Sequence, residues 1–324
     1  MAETATVYSD VLDGGSGRLR CQLVVVDGPD RGRACRLGDA EVVVGTAASC
    51  ALVVSDDRVS ARHVGVRADG ARFAIRDLGS TNGTHFEGSR VEAVTVPAGA
   101  TLRIGRSALR IEAEAQPLDL PPSQARRFGE LVGTSLAMRE LFAVLERVAG
   151  TDATVLVEGE TGTGKELVAR ALHDASPRRR APFVAVDCGA LPEGMLDSEL
   201  FGHVRGAFTG AAQARGGLIA RADGGTLFLD EIGRISPTVQ ARLLRALEER
   251  AVRLLGGDVE RALDVRIVAA ARDDLDGEVA AGRFRADLLY RLAVVRVRLP
   301  PLRARREDLP MLVRELLRRR GLAD

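Results

Sequence analysis

The segment from Gly159 to Glu166, with the sequence GETGTGKE, restricts the fold of this chain more than any other. It follows the apolar run TVLV at 154–157 and precedes a stretch with helical apolar spacing at 166–173. Glycines let backbone N–H groups curl around phosphate oxygens, the helix N-terminus adds positive dipole, and Lys165 can reach the outer phosphates. The pattern predicts a nucleotide-binding α/β domain rather than a glycine-rich turn without a ligand. The residues expected to bind the nucleotide are Gly159, Glu160, Thr161, Gly162, Thr163, Gly164, Lys165 and Glu166.

The amino-acid composition also indicates that the segment at 159–166 is a functional site. Of 46 basic residues only Lys165 is a lysine, and Asn82 is the only asparagine. Lysine and asparagine both have A-rich codons, so their scarcity suggests a GC-rich genome. In such a genome Arg replaces Lys wherever a site tolerates the exchange. A site that needs a compact ammonium does not tolerate the planar guanidinium. Chance is the alternative, since one residue of each type is a small sample.

The remaining composition excludes several classes of protein. The chain has 324 residues and a net charge of +1, which indicates about two domains and no general nucleic-acid or membrane-surface binder. No apolar run reaches the roughly 18 residues of a membrane span, and the N-terminus MAETATVYSD does not resemble a secretory signal. The four cysteines form no CxxC pair, so we expect neither disulfides nor structural zinc, and a cytoplasmic location.

The hydrophobic pattern changes in the middle of the chain. Short apolar runs separated by turn signals precede this point, as in an all-β sandwich, and strands alternating with helices follow it, as in an α/β domain with a parallel sheet. The predicted division is an N-terminal tail at 1–18, a sandwich at 19–112, a proline-containing linker at 113–127, an α/β domain at 128–306 and the start of a further helical region at 307–324. Among the predicted elements are helices at 131–148, 166–173 and 236–250, and strands at 101–104, 154–157, 226–229 and 265–270.

The apolar run before Ile232 ends in two acidic residues, Asp230 and Glu231. At the carboxyl end of a buried strand, Asp230 can hold Mg²⁺ through water while Glu231 orients and deprotonates an attacking water. Together with the phosphate loop, this pair predicts ATP hydrolysis.

Arg285 and Arg291 are six positions apart. Their spacing leaves open whether they are solvated helix arginines or reach the γ-phosphate of a neighbouring subunit.

Five segments together resemble the AAA+ domain of sigma-54-dependent transcription activators. They are GETGTGKE, LDSELFGHVRGAFTGA, GGTLFLDEIG, FRADLLYRL and LPPLR, and the resemblance extends over about 128–306. It implies ATP and Mg²⁺ as ligands and gives Lys165, Asp230 and Glu231 the roles argued above. It makes Glu166, which stands where phosphate loops usually carry a magnesium-ligating Ser or Thr, an ordinary family residue. It also makes the two arginines of FRADLLYRL fingers that act in trans, so we expect a homo-oligomeric ring, commonly a hexamer.

The most specific of these segments is GAFTGA, which in the family forms the tip of a loop that touches sigma-54. The residues expected at this contact are Gly206, Ala207, Phe208, Thr209, Gly210 and Ala211. An apolar ring on a glycine-flanked loop is costly to leave in water unless a partner covers it. Judged from the residues alone, the alternative that the ring packs against its own domain is preferred.

Three positions depart from the family pattern. The family usually has Asn where Asp187 stands, Glu where Val204 stands, and Thr-Asn where the pair at 271–272 is Ala-Arg. The Asn restrains the catalytic glutamate, and an Asp there adds a like charge near Glu231. We therefore expect altered coupling between ligand state and hydrolysis, and altered positioning of the GAFTGA loop.

The N-terminal part resembles a forkhead-associated (FHA) module through VSARH at 59–63 and DLGSTNGT at 77–84. The resemblance implies that the Ser and Arg of the first segment approach the phosphate of a phosphothreonine peptide, while the Thr and Asn of the second hold the peptide backbone. An asparagine suits that role because its amide both donates and accepts. The expected peptide-binding residues are Ser60, Arg62, Thr81 and Asn82.

Other residues of these motifs are expected to have structural roles or to change the binding. His63 and Asp77 are expected to stabilise the fold rather than touch the peptide. The arginine that the family usually has after the Val-Gly strand end is Thr46 here. Losing a charged phosphate contact costs roughly 1.5 to 3 kcal/mol. Phosphopeptide binding is therefore expected to be weaker, altered, or compensated by Arg58 or Arg62.

In the family, a helical lid and then usually a helix-turn-helix for enhancer DNA follow LPPLR. Here residues 308–320 predict one amphipathic helix, whose arginines at 318–320 are expected to be solvated rather than to contact DNA. The expectation is a truncated lid and no direct DNA-binding domain in this chain, with a fragment and a naturally short protein both left open.

Taken together, the residues and resemblances predict an all-β FHA sandwich followed by an α/β P-loop AAA+ domain. The predicted function is that of a cytoplasmic regulator that reads a phosphothreonine-containing protein and remodels sigma-54 RNA polymerase by hydrolysing ATP. One alternative is a non-hydrolysing adaptor that docks a phosphoprotein or sigma-54. Another is a general P-loop ATPase with no role in transcription.

Overall fold

The structure is a computed structural model with two compact units, Tyr8–Ala115 and Met1–Val7 together with Gln116–Asp324. Strand β1 (Ala5–Val7) therefore belongs to the second unit. None of the helices in the described residues is long and apolar enough to cross a lipid bilayer. The described residues are 5–7, 20–69, 72–114, 116–118, 120–207, 213–272 and 274–322.

The unit Tyr8–Ala115 is a β-sandwich, as predicted. Its described part contains one sheet in the order β10-β7-β6-β4-β5 and a second in the order β3-β2-β12-β11-β8-β9. Every pairing within these sheets is antiparallel except that of β4 with β5. The strands are β2 (Cys21–Asp27), β3 (Ala34–Leu37), β4 (Val42–Gly45), β5 (Leu52–Val53), β6 (Val64–Asp69), β7 (Arg72–Asp77), β8 (Thr84–Phe86), β9 (Ser89–Val91), β10 (Ala93–Val96), β11 (Thr101–Ile104) and β12 (Ser107–Ala113).

Alternating side chains explain why these segments form a sandwich. In β2, Leu23 and Val25 are fully buried while the residues between and beside them are partly exposed. β11 alternates in the same way, with Leu102 and Ile104 buried. Because successive residues of a strand point to opposite faces, each strand contributes one apolar face to the core between the sheets.

The second unit is built on a sheet whose order in the described residues is β13-β1-β24-β16-β23-β20-β17. The five strands from β24 to β17 are parallel, which confirms the predicted α/β class. Their carboxyl ends meet at one edge, where ligands bind in open α/β sheets. The strands are β13 (Gln116–Pro117), β14 (Arg127–Phe128), β15 (Leu131–Val132), β16 (Val155–Glu158), β17 (Phe183–Asp187), β18 (Gly202–His203), β19 (Arg215–Gly216), β20 (Thr226–Asp230), β21 (Ala251–Arg253), β22 (Glu260–Ala262), β23 (Arg266–Ala271) and β24 (Val295–Arg298).

The helices agree with the predicted ones apart from their ends. The helix predicted at 131–148 begins instead at Leu136, because the Ser135 hydroxyl accepts from Met138 N (3.3 Å) and caps it. The residues before it form β15. The helices are α1 (Leu136–Ala149), α2 (Lys165–Asp174), α3 (Glu193–Phe201), α4 (Leu218–Arg221), α5 (Pro237–Glu249), α6 (Leu275–Ala280), α7 (Ala286–Leu292) and α8 (Leu309–Arg319), with 3₁₀ turns at Ile232–Arg234, Leu302–Ala304 and Arg306–Asp308.

Two segments differ from the sequence-based expectation. The predicted N-terminal tail contains β1, which pairs antiparallel with β24, and the predicted linker contains β13, which pairs antiparallel with β1. β12 also extends into the predicted linker, to Ala113. Proline and polar residues suggested a linker, but main-chain hydrogen bonding to a neighbouring strand overrode that local signal.

The apolar face predicted for the last helix is present on α8. Within the described residues its Leu309, Val313, Leu316 and Leu317 are 40–59% exposed. The opposite side carries Glu315, which accepts hydrogen bonds from three arginines. Arg318 and Arg319 at the end of α8 therefore form ion pairs within the unit.

The partly buried carboxylate of Asp77 makes the sandwich sensitive to acid. Burial opposes its charge, but hydrogen bonds from Ser80 Oγ (2.7 Å), Ser80 N (2.8 Å) and Thr84 Oγ1 (2.7 Å) lower the pKa of Asp77 from 3.8 to about 2. Since the folded pKa lies below the unfolded one, the stabilisation is complete above pH 4 and is lost as the pH falls toward 2. This contribution amounts to about 2 kcal/mol.

We therefore expect the free energy of unfolding of wild type to exceed that of Asp77→Asn at neutral pH, and this difference to shrink by about 2 kcal/mol between pH 4 and pH 2. Urea unfolding followed by circular dichroism measures it. Asp57→Asn, which removes an exposed carboxylate of the same unit, is the matched control and should change little. A difference between wild type and Asp77→Asn that does not depend on pH would contradict this interpretation.

Candidate nucleotide site

The phosphate loop predicted from the sequence connects β16 to α2. Gly162 and Gly164 have φ angles of +81° and +107°, a left-handed conformation that side-chain-bearing residues rarely adopt. α2 begins at Lys165, whose side chain is only 7% exposed. The Lys165 ammonium donates to the carbonyls of Gly159 (2.9 Å) and Glu160 (3.3 Å). The cation therefore lies across the loop, where phosphate oxygens can replace the carbonyls as acceptors.

A buried arginine holds this loop from behind. Arg305 is 6% exposed and donates to the Thr163 carbonyl (2.9 Å) and to Met138 Sδ (3.0 Å). Burial lowers the pKa of Arg305, while nearby Asp308 opposes the effect. Asp308 in turn accepts from Ser135 N (2.7 Å) at the start of α1. The hydrogen bond from Arg305 therefore fixes the Thr163 carbonyl within the loop.

The segment after β24 closes the other side of the loop. Leu299 N donates to the Glu158 carbonyl (2.7 Å), and a Cβ added to Gly159 would lie 3.1 Å from Leu299 Cβ. A side chain at the first position of the loop would therefore require Leu299 or Thr163 to shift by a few tenths of an ångström. Arg303 binds Glu160 (2.7 Å) and lowers the pKa of that carboxyl.

Glu166 points away from the loop. Its carboxylate accepts from Arg170 Nε (3.1 Å) and Nη2 (2.8 Å), one helical turn further along α2. Its side chain is 54% exposed. This position therefore acts in a surface ion pair.

The predicted acidic pair lies at the carboxyl end of β20, two strands from the phosphate loop in the same sheet. Glu231 has a φ of +52°, one of the few non-glycine residues with a left-handed backbone in the described chain. Asp230 Oδ1 accepts from Glu231 N (2.9 Å) and holds this turn. Such strain is retained where the surrounding structure over-determines it, often at functional sites.

The donor set at this edge fits Mg²⁺ bound together with phosphates. Asp230 supplies a partly exposed carboxylate at the strand end. Among the described residues no group of three His, Cys, Asp or Glu could by itself hold a metal ion. Magnesium keeps several waters and takes one or two carboxylates plus substrate phosphates, and these residues match that requirement.

Asp187, the departure from the family pattern, lies beside this pair in register with Asp230. Its Oδ1 accepts from Gly189 N (2.8 Å) and Ala190 N (3.1 Å). The carboxylate is therefore engaged by a local turn. Burial, and then the negative charge of Asp187, Asp230 and Glu231, raise the pKa of Cys188 to about 12. Cys188 is therefore a buried, protonated thiol beside the three carboxylates.

The two candidate finger arginines lie at either end of α7. Arg285 precedes the helix, is 48% exposed and binds Asp287 (2.7 Å). Burial lowers the pKa of Arg291 near the helix end. Gln240 of α5 accepts from Arg285 N (2.9 Å) and positions this start of the helix.

The GAFTGA segment extends from a short hairpin formed by β18 and β19. Gly206 and Ala207 lie within the described residues, whereas the positions at 208–211, including Phe208, lie outside them. Val204 N donates to the Leu255 carbonyl (3.0 Å). A Cβ added to Gly257 would lie 3.1 Å from Val204 Cγ1. Backbone bonding and apolar contact therefore position the base of this loop.

In the sandwich, the two motif segments at 59–63 and 77–84 are tied together. Thr81 N donates to Ser60 Oγ (3.1 Å), and Asn82 Nδ2 donates to the Arg58 carbonyl (2.7 Å). His63, fully buried, accepts from Ser60 N (3.1 Å) and contacts the Gly83 carbonyl (3.2 Å). Burial lowers the pKa of His63, so this imidazole is a neutral structural link.

Exposed side chains at the same end of the sandwich include Thr46, Arg58 and Arg62. Thr46 N donates to the Ser60 carbonyl (3.2 Å). The structure thus brings Ser60, Arg62, Thr81 and Asn82 into one cluster of loops.

Sequence reasoning missed the residues that support the phosphate loop. LPPLR was recognised only as a family segment, and the roles of Leu299, Arg305 and Asp308 were not inferred. Their signal was weak because the chain has many arginines, and nothing in a single sequence distinguishes a buried one. Only the fold reveals that they lie behind the loop, about 140 positions away along the chain.

Comparison with known proteins identifies families, relatives and solved structures that are similar to this chain. Residues 131–298 match the family model described as sigma-54 interaction domain, and residues 24–115 match that of the inner membrane component of T3SS, cytoplasmic domain. The transcriptional regulatory protein ZraR of Salmonella typhimurium is 55% identical over 201 residues, which are 62% of this chain and 45% of that protein. The response regulator protein PilR of Pseudomonas aeruginosa is 49% identical over 216 residues, 66% of this chain and 46% of that protein.

Solved structures include NtrX from Brucella abortus in complex with ATP, at 40% identity and a TM-score of 0.55, covering 59% of this chain and 41% of that one. The sandwich has 28% identity with a structure from a study of phosphothreonine-dependent FHA domain interactions, at a TM-score of 0.27, covering 29% of this chain and 97% of that one.

This chain spans less than half the length of the curated relatives named above. The sigma-54 interaction model nevertheless covers more than half of the chain itself. It includes the phosphate loop, the acidic pair, the GAFTGA segment and the arginine-bearing helix. The chain belongs to the sigma-54 interaction domain family of AAA+ proteins.

Proposed function

We propose that this protein is a cytoplasmic regulator that hydrolyses ATP and uses the energy to remodel sigma-54 RNA polymerase. One observation carries the proposal: the Lys165 ammonium lies on the phosphate loop at the same sheet edge as Asp230 and the left-handed turn at Glu231. Family membership and the ATP complex of NtrX support the choice of nucleotide.

The residues divide the work of hydrolysis. Lys165 exchanges the carbonyls of Gly159 and Glu160 for β- and γ-phosphate oxygens. Asp230 would hold Mg²⁺ through water, and the bound ion would supply positive charge to the phosphates. Glu231 orients the attacking water and takes its proton on a carboxylate oxygen.

The active form in this proposal is a ring, with six subunits as the expected number. Arg285 and Arg291 then reach the γ-phosphate of the neighbouring subunit, where such cations accelerate transfer by about 10³ to 10⁵. The exposure of Arg285 supports this role, since the Asp287 ion pair can be exchanged for a phosphate. The partial desolvation of Arg291 supports it too, since a poorly hydrated cation gains more from an anion.

Glu231→Gln tests hydrolysis separately from binding. We expect phosphate release to fall at least about 100-fold because the base is lost, while ATP affinity measured by calorimetry changes only a few-fold. Glu146→Gln, which removes an exposed carboxylate on α1, should leave both unchanged. Wild-type turnover indistinguishable from that of Glu231→Gln would instead favour the adaptor that binds without hydrolysis.

The sigma-54 contact is assigned to the GAFTGA segment, in which Phe208 is the apolar group that a partner would bury. We expect Phe208→Ala to abolish capture of sigma-54 in the presence of a transition-state nucleotide analogue, with ATP turnover retained within a few-fold. Met195→Ala, which truncates another exposed apolar side chain (55% exposed), should leave capture unchanged. Capture by Phe208→Ala at the wild-type level would favour an ATPase with no role in transcription.

We further propose that the sandwich reads a phosphothreonine-containing protein. The loop cluster of Ser60, Arg62, Thr81 and Asn82 supports this, because it combines hydroxyls, an amide and a cation on one exposed end. With Thr46 at the usual arginine position, Arg62 becomes the principal phosphate contact in this proposal.

Phosphopeptide affinity tests this assignment. We expect the full chain to bind a phosphothreonine peptide library more tightly than its unphosphorylated counterpart, and Arg62→Ala to weaken that binding about 10- to 150-fold, as for one charged hydrogen bond. Arg67→Ala, an exposed arginine on β6, is the control in fluorescence anisotropy. Equal binding of phosphorylated and unphosphorylated libraries would overturn the proposal.

A further inference from the structure

The outer edge of the parallel sheet is covered by the N-terminal strand. β1 pairs antiparallel with β24, with Ala5 opposite Val297 and Val7 opposite Val295. Ala5 and Val7 are 6% and 4% exposed, so both side chains are buried in the unit. Without β1, the main-chain N–H and C=O groups on one side of β24 would face solvent, which weakens an edge strand.

The segment that forms the sandwich lies between β1 and β13 in chain order. The chain leaves the sheet after Val7 and returns as β13, where Gln116 pairs with Val7 and Leu118 N donates to the Ala5 carbonyl (3.2 Å). The unit Tyr8–Ala115 is therefore an insertion between two adjacent strands.

β24 leads from these strands to the phosphate loop. Its Arg296 binds Glu158 (3.1 Å), the last residue of β16. Immediately after it, Leu299 donates to the Glu158 carbonyl and packs on Gly159. A few residues later Arg305 holds the Thr163 carbonyl. Movement of β24 away from β16 would therefore release the loop at several points.

We propose that β1 is a coupling strand: its pairing with β24 keeps the phosphate loop in its binding shape, and its release from β24 loosens the loop and weakens nucleotide binding. The effect of β1 on β24 and the loop stands on the geometry alone. The effect on nucleotide rests on the proposed function. The physical basis is that an edge strand loses protection when its neighbour leaves.

Val7→Asp tests the proposal by placing an unpaired charge in a buried position of β1. Hydrogen exchange of the full chain without nucleotide should accelerate at least tenfold at 295–305 and 159–166, with the sandwich at 20–114 unchanged. ATP affinity measured by calorimetry should fall at least tenfold. Val7→Ile, which keeps an apolar β-branched side chain, is the control and should match wild type.

A disulfide provides the opposite test if Val7→Asp fails to fold. Ala5 and Val297 are direct cross-strand partners, and Cα separations of such pairs, about 4.5 to 5.5 Å, suit a disulfide. Ala5→Cys combined with Val297→Cys should, when oxidised, slow exchange at 295–305 and 159–166 and retain ATP affinity. Reduction should restore wild-type exchange.

Two results would overturn the proposal that β1 is a coupling strand. One is faster exchange in Val7→Asp that is confined to 5–7. The other is ATP affinity that stays at the wild-type level although exchange at 159–166 has risen. If wild type itself binds no ATP, the proposed function fails, and the exchange data still decide whether β1 supports the loop.

Discussion

A phosphate-binding loop cannot hold its own shape, because its N–H dipoles all point toward one place and repel one another until an anion arrives. The hydrogen bond from Arg305 to the Thr163 carbonyl is the interaction on which the site depends. It fixes the orientation of the peptide unit between Thr163 and Gly164. Leu299 against Gly159 and the Lys165 ammonium on two loop carbonyls complete the support. The loop is thereby preorganised before a nucleotide binds.

Charge and strain are concentrated at the same sheet edge. The left-handed backbone at Glu231 costs about 1 to 3 kcal/mol and is held by the Asp230 carboxylate. The expected like charge at Asp187 is present, but its carboxylate is engaged by the N–H groups at 189–190. The Asp187 carboxylate is therefore held within its own turn at the carboxyl end of β17.

In the sandwich, local hydrogen bonds build the candidate peptide surface. The single asparagine of the chain uses its amide to bind the Arg58 carbonyl, and the Ser60 hydroxyl accepts from Thr81 N. Both side chains therefore hold two loops together. His63 and Asp77 support the same loops from the core side, as the sequence predicted for them.

The sequence by itself determined the elements whose information is local. GETGTGKE after an apolar strand predicts a phosphate loop, Thr101–Ile104 has the bounds predicted for it, and the DE pair falls at a strand end, since glycine conformation, alternation and capping act over a few residues. Only the tertiary structure decided that Arg305 holds the loop and that β1 closes the edge of the sheet. Those contacts join residues more than a hundred positions apart, and a buried arginine or a three-residue strand has no pattern of its own, because its stability comes entirely from the surface it meets.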